Sequence, residues 1–127
     1  TPGRRLGVGT VESTPIFCLP GDPVSAQIAF ETFVRPAVRQ IAGRRELHRS
    51  CLPASISTGW HSPPEKREFV PVRLTGSPSR GYTAEPTSPP GTTRLLGLAR
   101  ANAIAIVPET TCTVVAGDVL RCLLLDA

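Results

Sequence analysis

Between residues 14 and 43 the chain passes from a short apolar run to a long stretch of apolar positions spaced three and four apart. Pro15-Ile16-Phe17-Cys18-Leu19 is bounded by Pro and Gly and predicts a strand buried on both faces. Pro20-Gly21-Asp22-Pro23 turns the chain. Asp22 is an N-cap, because its carboxylate accepts from the first free helix amides. Pro23 fits the first helical position, where its missing N–H costs nothing. Val24, Ile28, Phe30, Phe33, Val34, Ala37, Val38 and Ile41 then line one broad helix face. Gln27, Glu31, Arg35 and Arg39 recur every four residues on the other face. Pro36 is expected to disturb this helix and Gly43 to end it.

Beyond the polar connector Arg44–Ser50 the period changes from 3.6 to 2. Leu52, Ala54, Ile56 and Thr58 alternate with small or polar residues and predict a strand. Phe69–Leu74 predicts a second, with Pro71 demanding an edge or a bulge. Gly76–Gly81 reads as a turn, Tyr82–Glu85 as a short strand and Pro86–Gly91 as irregular chain. Leu95–Ala101 predicts a short helix with Asn102 as its left-handed C-cap. Ala103–Val107 is a buried strand closed by Pro108. Thr111–Val115 and Val119–Leu125 flank Ala116-Gly117-Asp118 and predict a hairpin. The expected fold class is an α/β fragment (strand–turn–helix) followed by a small all-β, barrel-like domain. The expected boundaries are 1–45 and 46–127.

The chain has 127 residues and begins with Thr1. A lone strand and helix cannot cover a parallel sheet, so residues 1–45 are expected to be the end of a larger α/β domain. Net charge is +4. Arginines are scattered among few aromatics, which does not make a stacking platform for nucleic acid. Cys18, Cys51, Cys112 and Cys122 lack the short spacing of a zinc site. Cys18, Cys112 and Cys122 fall in apolar patterns and are expected to be buried thiols. No apolar run is long enough to span a membrane. The expected setting is a reducing cytoplasm, with neither nucleic acid nor membrane as a partner.

The chemistry on offer is the holding of anions. A strand that feeds a helix N-terminus through a Gly turn points amides and a positive dipole end at its mouth. The Val24 and Ser25 amides and the Ser25 hydroxyl are candidate donors, as are Thr92 and Thr93 after a glycine. Arg4, Arg5, Lys66 and Arg67 are candidate cations. The alternative for each is a plain structural role: a tight turn, a loop residue, a solvated charge.

The segment LPGDPVSAQIAFETFVRPAVRQIAG closely resembles LPGNPVSA…F…FVRPALRKLAG of the molybdopterin molybdenumtransferase family, which includes MoeA and the gephyrin E domain. PGRRLGVGTV, KREFVPVRL, GTTRLLGLARANAIAIVPE and AGDVLRCLLL resemble further family segments in the same order. The resemblance implies the C-terminal part of an enzyme that inserts molybdate into adenylylated molybdopterin with the help of Mg2+, as a cytoplasmic homodimer. Magnesium ligands are expected mainly outside this chain. By motif position it implies Arg4, Lys66 and Thr92 as catalytic and Pro20, Gly21, Asp22, Pro23 and Ser25 as cofactor-binding. Thr1 stands where the family has a lysine, and Asp22 where it has Asn. A carboxylate ~4 Å from an anion at an effective dielectric of ~20 costs about 4 kcal/mol per unit charge. The alternative implied by these departures is a non-catalytic paralogue or a protein-interaction module of the gephyrin E type.

Overall fold

The computed structural model describes residues 6–62, 65–89 and 95–125. The chain divides into two compact units, Thr1–His48 and Arg49–Ala127.

In the first unit β1 (Gly7–Val11) pairs antiparallel with β2 (Thr14–Cys18), with Val11 opposite Thr14. Glu12 and Ser13 close this hairpin at φ 49° and 71°. Two residues at positive φ match the right-handed twist of the flanking strands. The expected doubly buried strand is therefore corrected: β2 has a partner, and most of it is exposed. Glu-Ser is not the usual Asn-Gly signal, and this is why β1 gave no warning.

Asp22 then caps α1 (Pro23–Ala29), which continues through a π-helical turn (Phe30–Val34) into α2 (Arg35–Ile41). The Arg35 amide reaches back five residues to the Phe30 carbonyl. The wider turn falls just before Pro36, which has no amide to continue the regular ladder. Thr32 Oγ1 donates to the Ile28 carbonyl at 2.7 Å, a further local competitor for that ladder. The expected assignment of faces fails here. Glu31 is buried with Val24 and Ile28, while Phe30, Phe33, Val38 and Ile41 are exposed. Apolar residues cover more than one face of this helix, so periodicity alone could not say which face turns inward.

The second unit is a closed five-stranded barrel in the order β3-β6-β5-β7-β9. Its strands are β3 (Cys51–Ile56), β5 (Glu68–Ser77), β6 (Gly81–Pro86), β7 (Ala103–Val107) and β9 (Val119–Leu124). Short β4 (Trp60–His61) and β8 (Thr113–Val114) form a separate ribbon. Only β3 and β6 run parallel within the barrel. Alternation carries the core: Leu52, Ala54 and Ile56, then Val70, Val72 and Leu74, then Leu120 and Cys122 point inward. Five strands leave a narrow interior, and Ala54, Ala84, Ala103 and Ala105 supply the small side chains that fit it. Trp60 and Val114 join the same cluster from the ribbon. A Cβ on Gly59 would run into the Val114 carbonyl oxygen, so only glycine permits that approach.

One local expectation is refined and three are corrected. Pro71 lies in β5, which is flanked by β6 and β7, but Pro71 itself pairs only with Ile104 of β7 and so occupies a local edge. Its carbonyl points beyond the last β6 pair, Val72 with Pro86, and accepts from Thr87 N at 3.2 Å and Oγ1 at 3.3 Å. Its nitrogen faces the same side, past the end of the β6 ladder. Asn102, which follows α3 (Leu95–Arg100), is not left-handed. Instead its side chain acts as a strand partner: Oδ1 accepts from Leu74 N at 2.7 Å and Nδ2 donates to Leu74 O at 3.2 Å. Residues 115–118 do turn, but β8 pairs with β4 while β9 pairs with β3 and β7, so there is no hairpin. Asp118 holds the turn by accepting from Val115 N at 3.0 Å. Finally, Cys18 and Cys112 are exposed and only Cys122 is buried. Burial, and secondarily Cys51, push the Cys122 thiol up to about 11.

Candidate functional site

The turn before α1 is built as its sequence demands. Asp22 adopts an extended conformation, φ −69° and ψ 127°, and its Oδ2 accepts from Ser25 N at 2.9 Å. The Asp22 carbonyl accepts from Ala26 N at 2.8 Å, which starts the helix. The consequence for anion holding is specific. The Ser25 amide, expected as a donor to a ligand, is committed to the Asp22 carboxylate. A charged acceptor already stands where an anion would be drawn. Gly21 is exposed, and a Cβ there would meet no atom within 4 Å. Packing therefore does not require glycine at this position, and its bare backbone leaves an open approach. Pro20 and Ser25 are half-buried and Pro23 is exposed.

Lys66 lies in the second unit on the connection between β4 and β5 and is exposed. Its neighbour Arg67, a candidate cation, is paired with Glu109 at 3.2 Å with both side chains about half exposed. Glu68 accepts from Trp60 Nε1 at 3.0 Å, which ties the start of β5 to the ribbon. Arg4, Arg5, Thr92 and Thr93 lie outside the described residues. Among the described residues no group of three or more His, Cys, Asp or Glu is placed to hold a metal ion. No helix among them is long and apolar enough to cross a membrane.

A second feature escaped the sequence. Arg73, Glu85, Pro86, Thr87 and Arg100 line an open cleft of about 500 Å3 on the barrel's outer surface. A smaller cleft of about 330 Å3 shares Glu85, Pro86 and Thr87 and extends to Thr58, Gly59 and Pro89. Arg73 and Glu85 are directly opposed across β5 and β6. Their meeting depends on register, and that of Arg100 with Arg73 on where α3 packs, so sequence spacing carried no signal for either.

A hairpin, a capped helix and a small closed barrel with one parallel strand pair define the class: an α/β segment joined to a β-barrel module. The family model described as the MoeA C-terminal region (domain IV) matches residues 53–125, and the chain belongs to that family. It is 38% identical over 120 residues to molybdopterin molybdenumtransferase 2 of Mycobacterium tuberculosis, covering 94% of this chain and 29% of that protein. It is 25% identical over 119 residues to gephyrin of Dictyostelium discoideum, covering 88% of this chain and 17% of that protein. The molybdopterin biosynthesis MoeA protein of Pyrococcus horikoshii superposes with a TM-score of 0.80 at 25% identity, over 99% of this chain and 30% of that one. The chain thus spans less than a third of the length of these relatives.

Proposed function

We propose that this chain is the C-terminal portion of a molybdenum cofactor biosynthesis enzyme that transfers molybdate to adenylylated molybdopterin. The supporting observation is the 38% identity to a molybdopterin molybdenumtransferase across 94% of the chain, with which the open backbone at Gly21 of the Pro20–Ser25 turn is consistent. On this reading residues 1–45 complete a molybdopterin-binding α/β domain, and residues 46–127 form the barrel domain. Pro20, Gly21, Asp22, Pro23 and Ser25 shape the wall against which the pterin substrate lies. Gly21 lets the ligand approach the main chain. Lys66, Arg4 and Thr92 supply cations and a hydroxyl to the oxyanion, as a tetrahedral dianion requires. Asp22 rigidifies the turn at the cost of repelling the anion. The full-length enzyme is a cytoplasmic homodimer. Magnesium would be held mainly by residues outside this chain.

The negative charge that Asp22 places at Ser25 N favours a second reading, in which the protein is a non-catalytic paralogue or a protein-interaction module. The two part in a strain lacking its own molybdenumtransferase. The full-length protein should restore molybdoenzyme activity. Lys66→Ala should reduce that activity. Asp22→Asn, which keeps the cap and removes the charge, should raise apparent molybdate affinity. If neither the full-length protein nor its Asp22→Asn variant restores activity, the second reading replaces the first.

A further inference from the structure

We propose that the cleft bounded by β5, β6 and the end of α3 binds a phosphomonoester, with Arg73 and Arg100 on the phosphate and Glu85 on a hydroxyl or amine of the body that carries it. The proposal concerns the second unit alone and does not rest on the molybdenumtransferase reading.

Three observations carry it. The first is the state of the charges. Arg73 Nη1 donates to the Arg100 carbonyl at 3.5 Å, a long bond that leaves most of its five N–H donors free. Among the described residues the Arg100 guanidinium and the Glu85 carboxylate have no hydrogen-bond or ion-pair partner. Glu85 sits directly across from Arg73 in the ladder, yet the two do not close into an ion pair. The cationic and anionic groups stand apart over an open volume.

The second observation is size. The cleft is about 500 Å3 and shares three lining residues with the neighbouring 330 Å3 cleft. That is room for a small organic molecule, in the range of roughly 300–1,000 Å3 typical of ligand pockets, and more than a bare ion needs. The third is placement. The backbone positions of Arg73 and Glu85 are fixed by the register of two barrel strands. The rim at Thr87 is tied to the Pro71 carbonyl by both its amide and its hydroxyl. The frame that carries the charged side chains is thus in place before a ligand arrives.

The chemistry selects phosphate over carboxylate. A single guanidinium fork satisfies a carboxylate, whereas two guanidinia from different elements suit a tetrahedral group with three free oxygens. A phosphomonoester carries roughly −1.5 to −2 charge at neutral pH, enough to engage both. Glu85 then discriminates. It repels a bare phosphate but accepts from a donor on the attached body, which favours the ester over the inorganic ion.

The test is a titration of the 127-residue chain with ribose 5-phosphate, inorganic phosphate, acetate and chloride at matched ionic strength, read by amide NMR shifts. Saturable shifts with ribose 5-phosphate are expected at Arg73, Glu85, Thr87, Ser88 and Arg100. Arg73→Gln and Arg100→Gln should each weaken binding about tenfold or more, the loss of one charged hydrogen-bonding partner. Arg80→Gln, in the exposed β5–β6 turn, should leave binding unchanged. Glu85→Gln should tighten inorganic phosphate while weakening ribose 5-phosphate relative to it. Each variant's fold is verified by its Trp60 fluorescence unfolding curve. Acetate or chloride producing the same shifts would overturn the proposal, as would Arg80→Gln weakening binding as much as Arg73→Gln, or shifts that never saturate.

Discussion

The five barrel strands share one buried cluster running from Ala54 to Cys122, whereas Val8, Val11, Phe33, Val38 and Ile41 of the hairpin and helix are each more than half exposed. The two units are similarly rich in apolar side chains, so composition does not separate them. Closure does. A sheet that returns on itself gives every inward residue a partner across the interior and leaves no edge. A two-stranded hairpin and one helix have too few faces to do the same. The first unit therefore holds its shape through local devices: the Asp22 cap, the Glu12–Ser13 turn and the i,i+4 bond from Gln27 Nε2 to Glu31 Oε1 at 3.2 Å.

This contrast is open to direct attack. Ile56→Ala removes a 1% exposed side chain from the barrel and should cost about 2–5 kcal/mol. Ile41→Ala, at 71% exposure, should change stability by no more than about 0.5 kcal/mol. Denaturant unfolding followed at Trp60, the chain's single tryptophan, reads both. Comparable losses would mean that the helix shares the barrel's cooperative unit.

Alkaline pH should strike the barrel next. The Cys122 thiol moves from an ordinary 9.0 to about 11 because burial disfavours its thiolate, with Cys51 adding to the effect. The folded state thus keeps a proton that the unfolded chain gives up. Stability from this group is intact below pH 9, falls as pH rises, and is lost through about 11, a total of roughly 3 kcal/mol. Cys122→Ala should flatten that part of the stability profile. Exposed Cys18 and Cys112 should meanwhile react readily with a thiol reagent at neutral pH while Cys122 resists.

The smallest expected effect lies at the helix cap. Asp22→Ala should cost about 1 kcal/mol, and Asp22→Asn only a few tenths. Hydrogen exchange at Ser25 and Ala26 measures it, since Asp22 accepts from both amides. Equal exchange in all three proteins would show that the cap does not hold the first unit's helix.

Much of the barrel was legible from period-2 alternation, because a strand with one wet face must alternate whatever it pairs with. Leu52, Ala54 and Ile56 and then Val70, Val72 and Leu74 followed that rule. Asp22 and Pro23 were equally legible, since capping is a contact within four residues. The failures all concern partners. Thr111–Val115 was expected as one arm of a hairpin, but only Thr113–Val114 is strand, and it pairs with Trp60 and His61, some fifty positions earlier. Asn102 had the right chemistry for a C-cap, yet tertiary packing offered its amide the Leu74 backbone instead. Glu31 was assigned to solvent because its spacing matched the polar stripe, and it is buried.

For the candidate site, the Pro20–Ser25 turn and its cap were readable and the cleft on the barrel was not. Sequence alone fixed a capped helix, a Gly-opened turn and strands with one apolar face, because each follows from bond geometry and neighbours a few residues away. Tertiary structure alone decided that Cys122 is the one deeply buried thiol, and that Arg73, Glu85 and Arg100 meet across one cleft. These depend on rotamer, register and closure, which are settled only when distant segments compete for the same buried volume and the same backbone groups.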